Sequence, residues 1–165
     1  MVSRWSTVRC CSLSRRRDRR ESTEAVTPVR PSRKRARRDA LFVLYQREVT
    51  GEAIAVLLDK LRQREGYSPD PFTVRTVTEV SEGLARIDTQ LSRFTRHWPL
   101  ARIAPLERSA LRLGFYELEQ GLTPAEVAID EAVRLVRRYS SDEAGALVNG
   151  ILGAVLRDLQ AKEEA

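Results

Sequence analysis

PLERSALRLGFYELEQ, residues 105–120, decides the fold. Pro105 suits the first turn of a helix, where its missing N–H is not needed, and Gly121 follows as a stop. Between them Leu106, Ala110, Leu111, Leu113, Phe115 and Leu118 fall on more than one face of a helix. A surface helix carries a single apolar stripe, whereas one that is apolar on several faces is surrounded. The segment therefore predicts a buried central helix with the remaining elements packed around it.

On its C-terminal side, Thr123, Pro124 and Glu126 read as an N-cap, a first-turn proline and the third position of a capping box. The helix they open has a core face of Val127, Ala128, Ala132, Leu135 and Val136. Ser140 and Glu143 repeat the signal before a last helix whose stripe is Leu147, Val148, Ile151, Leu152, Val155, Leu156 and Leu159. On the N-terminal side, Pro99 ends a helix bearing Ile87, Leu91, Phe94 and Trp98. Gly83 separates it from a helix that runs from about Pro71 to Leu84 through Val74, Val77 and Val80. Residues 66–71, with Gly66, Pro69 and Pro71, form a loop. Before it lies a helix from Gly51 to Arg64 with Ile54, Leu57, Leu58 and Leu61 on one face. Ser32 caps the first helix, Arg33 to Arg47, whose stripe is Ala40, Leu41, Leu44 and Tyr45. No segment alternates long enough for a strand, and no period of solenoid length recurs. The expected fold is all-α, a bundle of about seven helices.

The 165 residues suffice for one domain with a real core. Charge is unevenly placed. Met1 to Arg38 hold 13 Lys/Arg against 3 Asp/Glu, a balance of +10, while the remainder stands at −4. A mildly acidic body with a strongly basic N-terminal end points to a polyanionic partner for that end; the alternative is a solvated tail without a ligand. Residues 1–31 are expected to be a disordered basic arm, rich in Arg, Ser and Thr, with residues 32–165 as the folded domain. The arm also resembles a transit peptide, but an over-extended start near Val26 or Val29 or a plain disordered arm is the preferred reading, because nothing else points to an organelle. Cys10 and Cys11 are adjacent and form neither a CxxC pair nor a zinc spacing, so no disulfide framework is expected and the reducing cytoplasm is the natural compartment. No run of eighteen apolar residues predicts a membrane span.

Catalytic signatures are missing. No nucleophile elbow, P-loop, dinucleotide fingerprint or EF-hand loop is present. The only histidine, His97, has no partnering nucleophile, and its place at a helix C-terminus has a structural reason. The expectation is a non-enzyme with no catalytic residue, metal or cofactor.

The first helix begins Arg33, Lys34, Arg35, Ala36, Arg37, Arg38. Cations in a first turn oppose the helix dipole at about 0.3–1 kcal/mol each at low salt, so folding gains nothing from them there. A phosphate at this terminus would meet free N–H groups, the dipole and the side chains together. Arg33 with Arg37 and Lys34 with Arg38 are four apart, giving two neighbouring basic ridges. The alternative is a solvated charge cluster.

Three segments carry a family resemblance: Arg33 to Arg37 running into Ala40-Leu41-Phe42-Val43-Leu44-Tyr45-Gln46; Leu111-Arg112-Leu113-Gly114-Phe115-Tyr116-Glu117-Leu118; and Val127 to Leu135 followed by Val148-Asn149-Gly150-Ile151-Leu152. In this order, with Trp98-Pro99-Leu100 before the second, they resemble the NusB family of transcription antitermination factors over about residues 32–160. The resemblance implies an all-α fold of two helical subdomains. It implies pairing with NusE, which is ribosomal small-subunit protein ten, and binding of single-stranded boxA-type RNA in nascent ribosomal transcripts. It further implies a place in the RNA polymerase antitermination complex, promoting read-through, with members occurring as monomers or homodimers.

Carried over by position, the RNA contacts would be Arg33, Lys34, Arg35, Arg37 and Arg38, with Arg137 at the junction of the last two helices. Ala146 and Leu147 stand where other members carry a Lys and a Phe, and Tyr139 or Arg138 would substitute. The partner-facing residues would be Tyr45 and Glu107, with Glu143 either near both partners or serving the last helix as a capping residue. Asn149 and Gly150 are expected to be packing residues, and Arg112 with Glu117 an internal polar pair. A related reading is the NusB-like N-terminal domain of RNA cytosine methyltransferases; another class is a helical interaction module whose basic end is incidental.

Overall fold

A computed structural model describes residues 32–64, 67–95 and 98–164. The readings of the 1–31 arm and of His97 lie outside the described residues. Within them are seven α-helices: α1 Arg33–Thr50, α2 Ile54–Arg62, α3 Pro71–Glu82, α4 Leu84–Ser92, α5 Pro105–Gln120, α6 Ala125–Tyr139 and α7 Asp142–Glu163. A single 3-10 turn, Leu100–Arg102, precedes α5, and no strand occurs among the described residues. None of the described helices is long and apolar enough to cross a membrane.

The central helix is α5. Every residue from Ser109 to Glu117 is buried, and α1, α3, α4, α6 and α7 all pack on it. α1, α2 and α3 form an N-terminal group; α6 and α7 pair against α5 as the C-terminal one. At Gly114 the Leu152 side chain of α7 lies tight against α5: a Cβ there would be 2.6 Å from Leu152 Cδ1. Burial of Leu41, Val77, Ile87, Leu111, Val136 and Leu152 closes the core between the two groups.

Several boundaries differ from the sequence reading. α4 ends at Ser92, not at Trp98, because Arg93 and Phe94 donate to Gln90 and Leu91 in tighter i−3 bonds. Phe94 still packs on the core, but Trp98 is 55% exposed. The N-cap of α7 is Ser141, whose hydroxyl accepts from Ala144 N–H at 3.1 Å, not Ser140. Thr123 caps nothing: α6 starts at Ala125, and the threonine hydroxyl is used inside the molecule. Asn149 and Gly150 are exposed on α7, with nothing within 4 Å of a Cβ at Gly150, so they are not packing residues.

The use of Thr123 explains a larger correction. Arg37 was expected to be an exposed RNA contact, yet it is buried. Its Nε donates to both Glu117 carboxylate oxygens at 2.9 and 3.0 Å, and Nη2 donates to Glu117 Oε2 and Thr123 Oγ1, each at 2.8 Å. Thr123 in turn donates to Glu117 Oε2 at 3.1 Å. Arg37 lies four residues before Leu41 and seven before Leu44, which places it on the buried stripe of α1. A charge on that stripe has to be neutralised by a buried partner, and α5 supplies it. Arg112 and Glu117 therefore do not pair with each other. Arg112 instead grips Asp88 of α4 at 2.7 and 2.8 Å and bonds Glu48 of α1.

Candidate nucleic-acid interface

The remaining first-turn cations of α1 point outward, and each rests on a different support. Arg33 lies over the Phe72 ring at 4.5 Å, and Arg35 over the Tyr67 ring at 4.7 Å. Lys34 Nζ is 3.7 Å from Glu131 of α6, and Arg38 reaches Asp39 at 3.1 Å. Tyr67 donates its hydroxyl to Asp39; burial first, and then this bond to a carboxylate, push the tyrosine up to about 12. Loop and helix together thus fix the directions of side chains that would otherwise be free.

α6 brings a second set. Arg134 and Arg138, four residues apart, lie on one face of it, and both face α1. With Ser32, Lys34, Arg35, Arg38, Leu135 and Tyr139 they line a shallow groove of about 220 Å³. Five cations thus converge on one groove. Tyr139 stands at its end, 37% exposed, held edge-on by Phe42 at 4.8 Å and with the Arg138 guanidinium 5.5 Å from its ring centre. An exposed aromatic face beside converging cations suits an unstacked base next to phosphates.

Of the residues read from sequence as RNA contacts, the groove unites Lys34, Arg35 and Arg38 with Arg138 and Tyr139, the two read as substitutes at the junction of the last helices. Arg33 lies apart, beside Phe72 and Arg75. Arg137 is exposed at the α6–α7 junction, its stem laid across Gly145, where a Cβ would come within 2.5 Å of Arg137 Cγ, and its Nε 3.7 Å from Asp142.

Tyr139 and Phe42 also border a second cleft of about 340 Å³, with Tyr45, Ala104, Pro105, Leu106, Glu107 and Ser140. Tyr45 and Glu107 therefore line one cleft. Glu107 is buried, accepts from the Ser140 hydroxyl on one oxygen, and has no partner among the described residues for Oε2. Glu143 is exposed away from this cleft's lining; its own backbone N–H and the Ser141 hydroxyl hold its carboxyl below the usual range, the behaviour of a helix-opening residue.

The pattern of the NusB family matches residues 34–157. The chain belongs to the NusB family. It is 39% identical over 132 residues to the transcription antitermination protein NusB of Solibacter usitatus, covering 78% of this chain and 90% of that protein. It is 40% identical over 129 residues to NusB of a Nocardioides species, covering 77% and 95%. NusB of T. maritima superposes with a TM-score of 0.71 at 32% identity, over 78% of this chain and 92% of that one. A chain from a crystal structure of antitermination factors NusB and NusE in complex with dsRNA superposes with a TM-score of 0.69 at 27% identity, over 76% and 96%.

Sequence reasoning missed Arg134, which reads as solvated surface on an amphipathic helix, and Glu131, an acid buried among the apolar positions of α6 whose partners on α1 and α6 no local pattern shows. It also missed Tyr67 and Phe72, which sit in and after a loop of unassigned direction. Their signal was aromatic residues beside a Pro-rich turn, without any pattern linking them to α1.

Proposed function

We propose that this chain is an RNA-binding transcription antitermination factor that acts with NusE on single-stranded boxA-type RNA of nascent ribosomal transcripts. In this reading it joins the RNA polymerase antitermination complex in the cytoplasm and promotes read-through without catalysing a reaction. The observation that carries it is the groove in which Lys34, Arg35, Arg38, Arg134 and Arg138 converge beside exposed Tyr139. Beside it, the cleft holding Tyr45 and the half-satisfied Glu107 carboxylate suits a donor side chain of a basic protein such as NusE. Tyr139 borders both depressions, so RNA and protein would lie side by side.

If five cations each neutralise one phosphate of a single strand, the log–log salt slope of RNA binding is about −3.5. Arg134→Ala should reduce that slope by about 0.7 and leave the helical circular dichroism unchanged. Glu107→Gln should weaken NusE binding without changing RNA binding by the isolated chain. Glu107→Lys would be a poorer probe, because it would place a cation at a buried position. An Arg134→Ala variant with unchanged affinity and slope would sink the groove assignment.

A further inference from the structure

Glu131 occupies an odd place. It sits on α6 between Ala128 and Leu135, 8% exposed, with its carboxylate turned towards the groove of cations. Oε2 accepts from Arg134 Nε at 3.1 Å and Nη2 at 2.6 Å, while Oε1 lies 3.7 Å from Lys34 Nζ on α1. Burial would raise its carboxyl, but the bond and charge of Arg134, with Lys34 and Arg37, outweigh that and hold it below the usual range. A negative charge under a phosphate site opposes RNA, so a groove built for attraction alone would not contain one.

What the carboxylate supplies is order. Lys34 and Arg134 are otherwise exposed, at 70% and 40% of their side chains, and long cationic side chains lose much rotamer freedom when they settle on a ligand. Glu131 is hydrogen-bonded to Arg134 on its own helix and in ionic contact with Lys34 of α1, two groups from helices far apart in the chain. Guanidinium groups not used on Glu131 keep donors free, since Arg134 spends only Nε and Nη2 on it.

We propose that Glu131 is a positioning residue of the RNA site, holding Lys34 of α1 and Arg134 of α6 aimed along one phosphate path before RNA arrives. This rests on the RNA-binding reading above. It differs from a role in stability, which would leave affinity alone, and from a role in damping charge, which would weaken RNA binding in the native chain.

The test uses the full chain and a short single-stranded boxA-type RNA, followed by fluorescence anisotropy across salt concentrations. Glu131→Gln keeps the shape and removes the charge. Affinity should fall about tenfold, the scale of one charge-assisted contact, and the slope should shrink by about 0.7 to 1.4. Adding Glu131→Gln to Arg134→Ala should weaken binding by less than the roughly tenfold it costs alone, because the part of its effect that runs through that arginine is already lost and only the part through Lys34 remains. In the free native chain, the Arg134 Nε–H should be rigid by 15N relaxation, with an order parameter near about 0.85, not below about 0.6. This measurement needs no variant to fold. Tighter binding by Glu131→Gln, equal binding with a lowered melting temperature, or a mobile Arg134 Nε–H each overturns the positioning role while leaving the RNA reading intact. A native chain that retains no RNA at all overturns the RNA reading, and this inference with it.

Discussion

Arg37→Ala separates a buried brace from a surface contact. The side chains of Arg37 and Glu117 are 4% and 2% exposed, and the guanidinium gives Glu117 three of its four hydrogen bonds, with Thr123 giving the other. Removing the arginine leaves a buried carboxylate with one hydroxyl donor and an arginine-sized void. Breaking a buried ion pair on one side costs about 3–5 kcal/mol. At roughly 4 °C per kcal/mol for a domain of this size, the melting temperature should drop by about 12–20 °C. Replacing both partners, as Arg37→Met with Glu117→Leu, should recover most of that, since a packed apolar pair often matches a buried salt bridge. Thermal unfolding by circular dichroism reads both effects. RNA binding, measured well below the transition, should keep its salt slope. An Arg37→Ala chain that melts within about 1 °C of the native protein and loses about 0.7 of its salt slope would refute the argument. Arg37 would then be a phosphate ligand after all.

Two glycines on one pair of helices should respond in opposite directions. Gly114→Ala forces a methyl to within 2.6 Å of Leu152 Cδ1 and should cost about 1–3 kcal/mol in urea unfolding. Gly150→Ala meets nothing within 4 Å in the middle of α7 and should stabilise by about 0.5–1 kcal/mol. Burial, then bonds to Asp39 and Glu79, hold the Tyr67 and Tyr116 hydroxyls up to about 12. Unfolded tyrosine loses its proton near about 10, so between those values the unfolded chain binds fewer protons and stability falls as pH rises. Tyr116→Phe should flatten that alkaline decline, read from melting temperature between about pH 9 and 12.

The helices were legible because their apolar periods are strong and Gly83 and Gly121 mark breaks; Gly51, read as the start of α2, instead closes α1 after Thr50 in a left-handed conformation, and Pro99 lies past the true end of α4 at Ser92. Boundaries slipped where two signals compete. Ser140 and Ser141 both suit an N-cap, and only the tertiary use of the Ser140 hydroxyl on Glu107 assigns the cap to Ser141. Thr123 slipped for the same reason, being drawn into the Arg37–Glu117 pair. In α1, the spacing from Arg33 to Arg37 places the two on one side, and the spacing from Arg37 to Leu41 places Arg37 on the buried stripe with equal force. Local pattern gave both, and the acid waiting in α5 decides between them. Three groove cations could be read from one dense run of charge. The other two, Arg134 and Arg138, come from a helix about a hundred residues later; the family resemblance pointed to Arg138 but not Arg134, and only the packing of α1 and α6 on a common α5 makes them neighbours of the first three.

That shared support has a consequence for how the groove can be altered. Its two walls are seated from behind, α1 by the Arg37–Glu117 brace and α6 by its packing on α5 and α7, so the spacing between them does not depend on what their outer side chains are. Lysine, arginine or a neutral residue exchanged at positions 34, 35, 38 and 138 should leave the width of the groove little changed. The scaffold behaves as a gauge of fixed width with interchangeable faces. A designer wishing to change how strongly the groove attracts a polyanion can work on the faces alone and leave the hidden brace untouched.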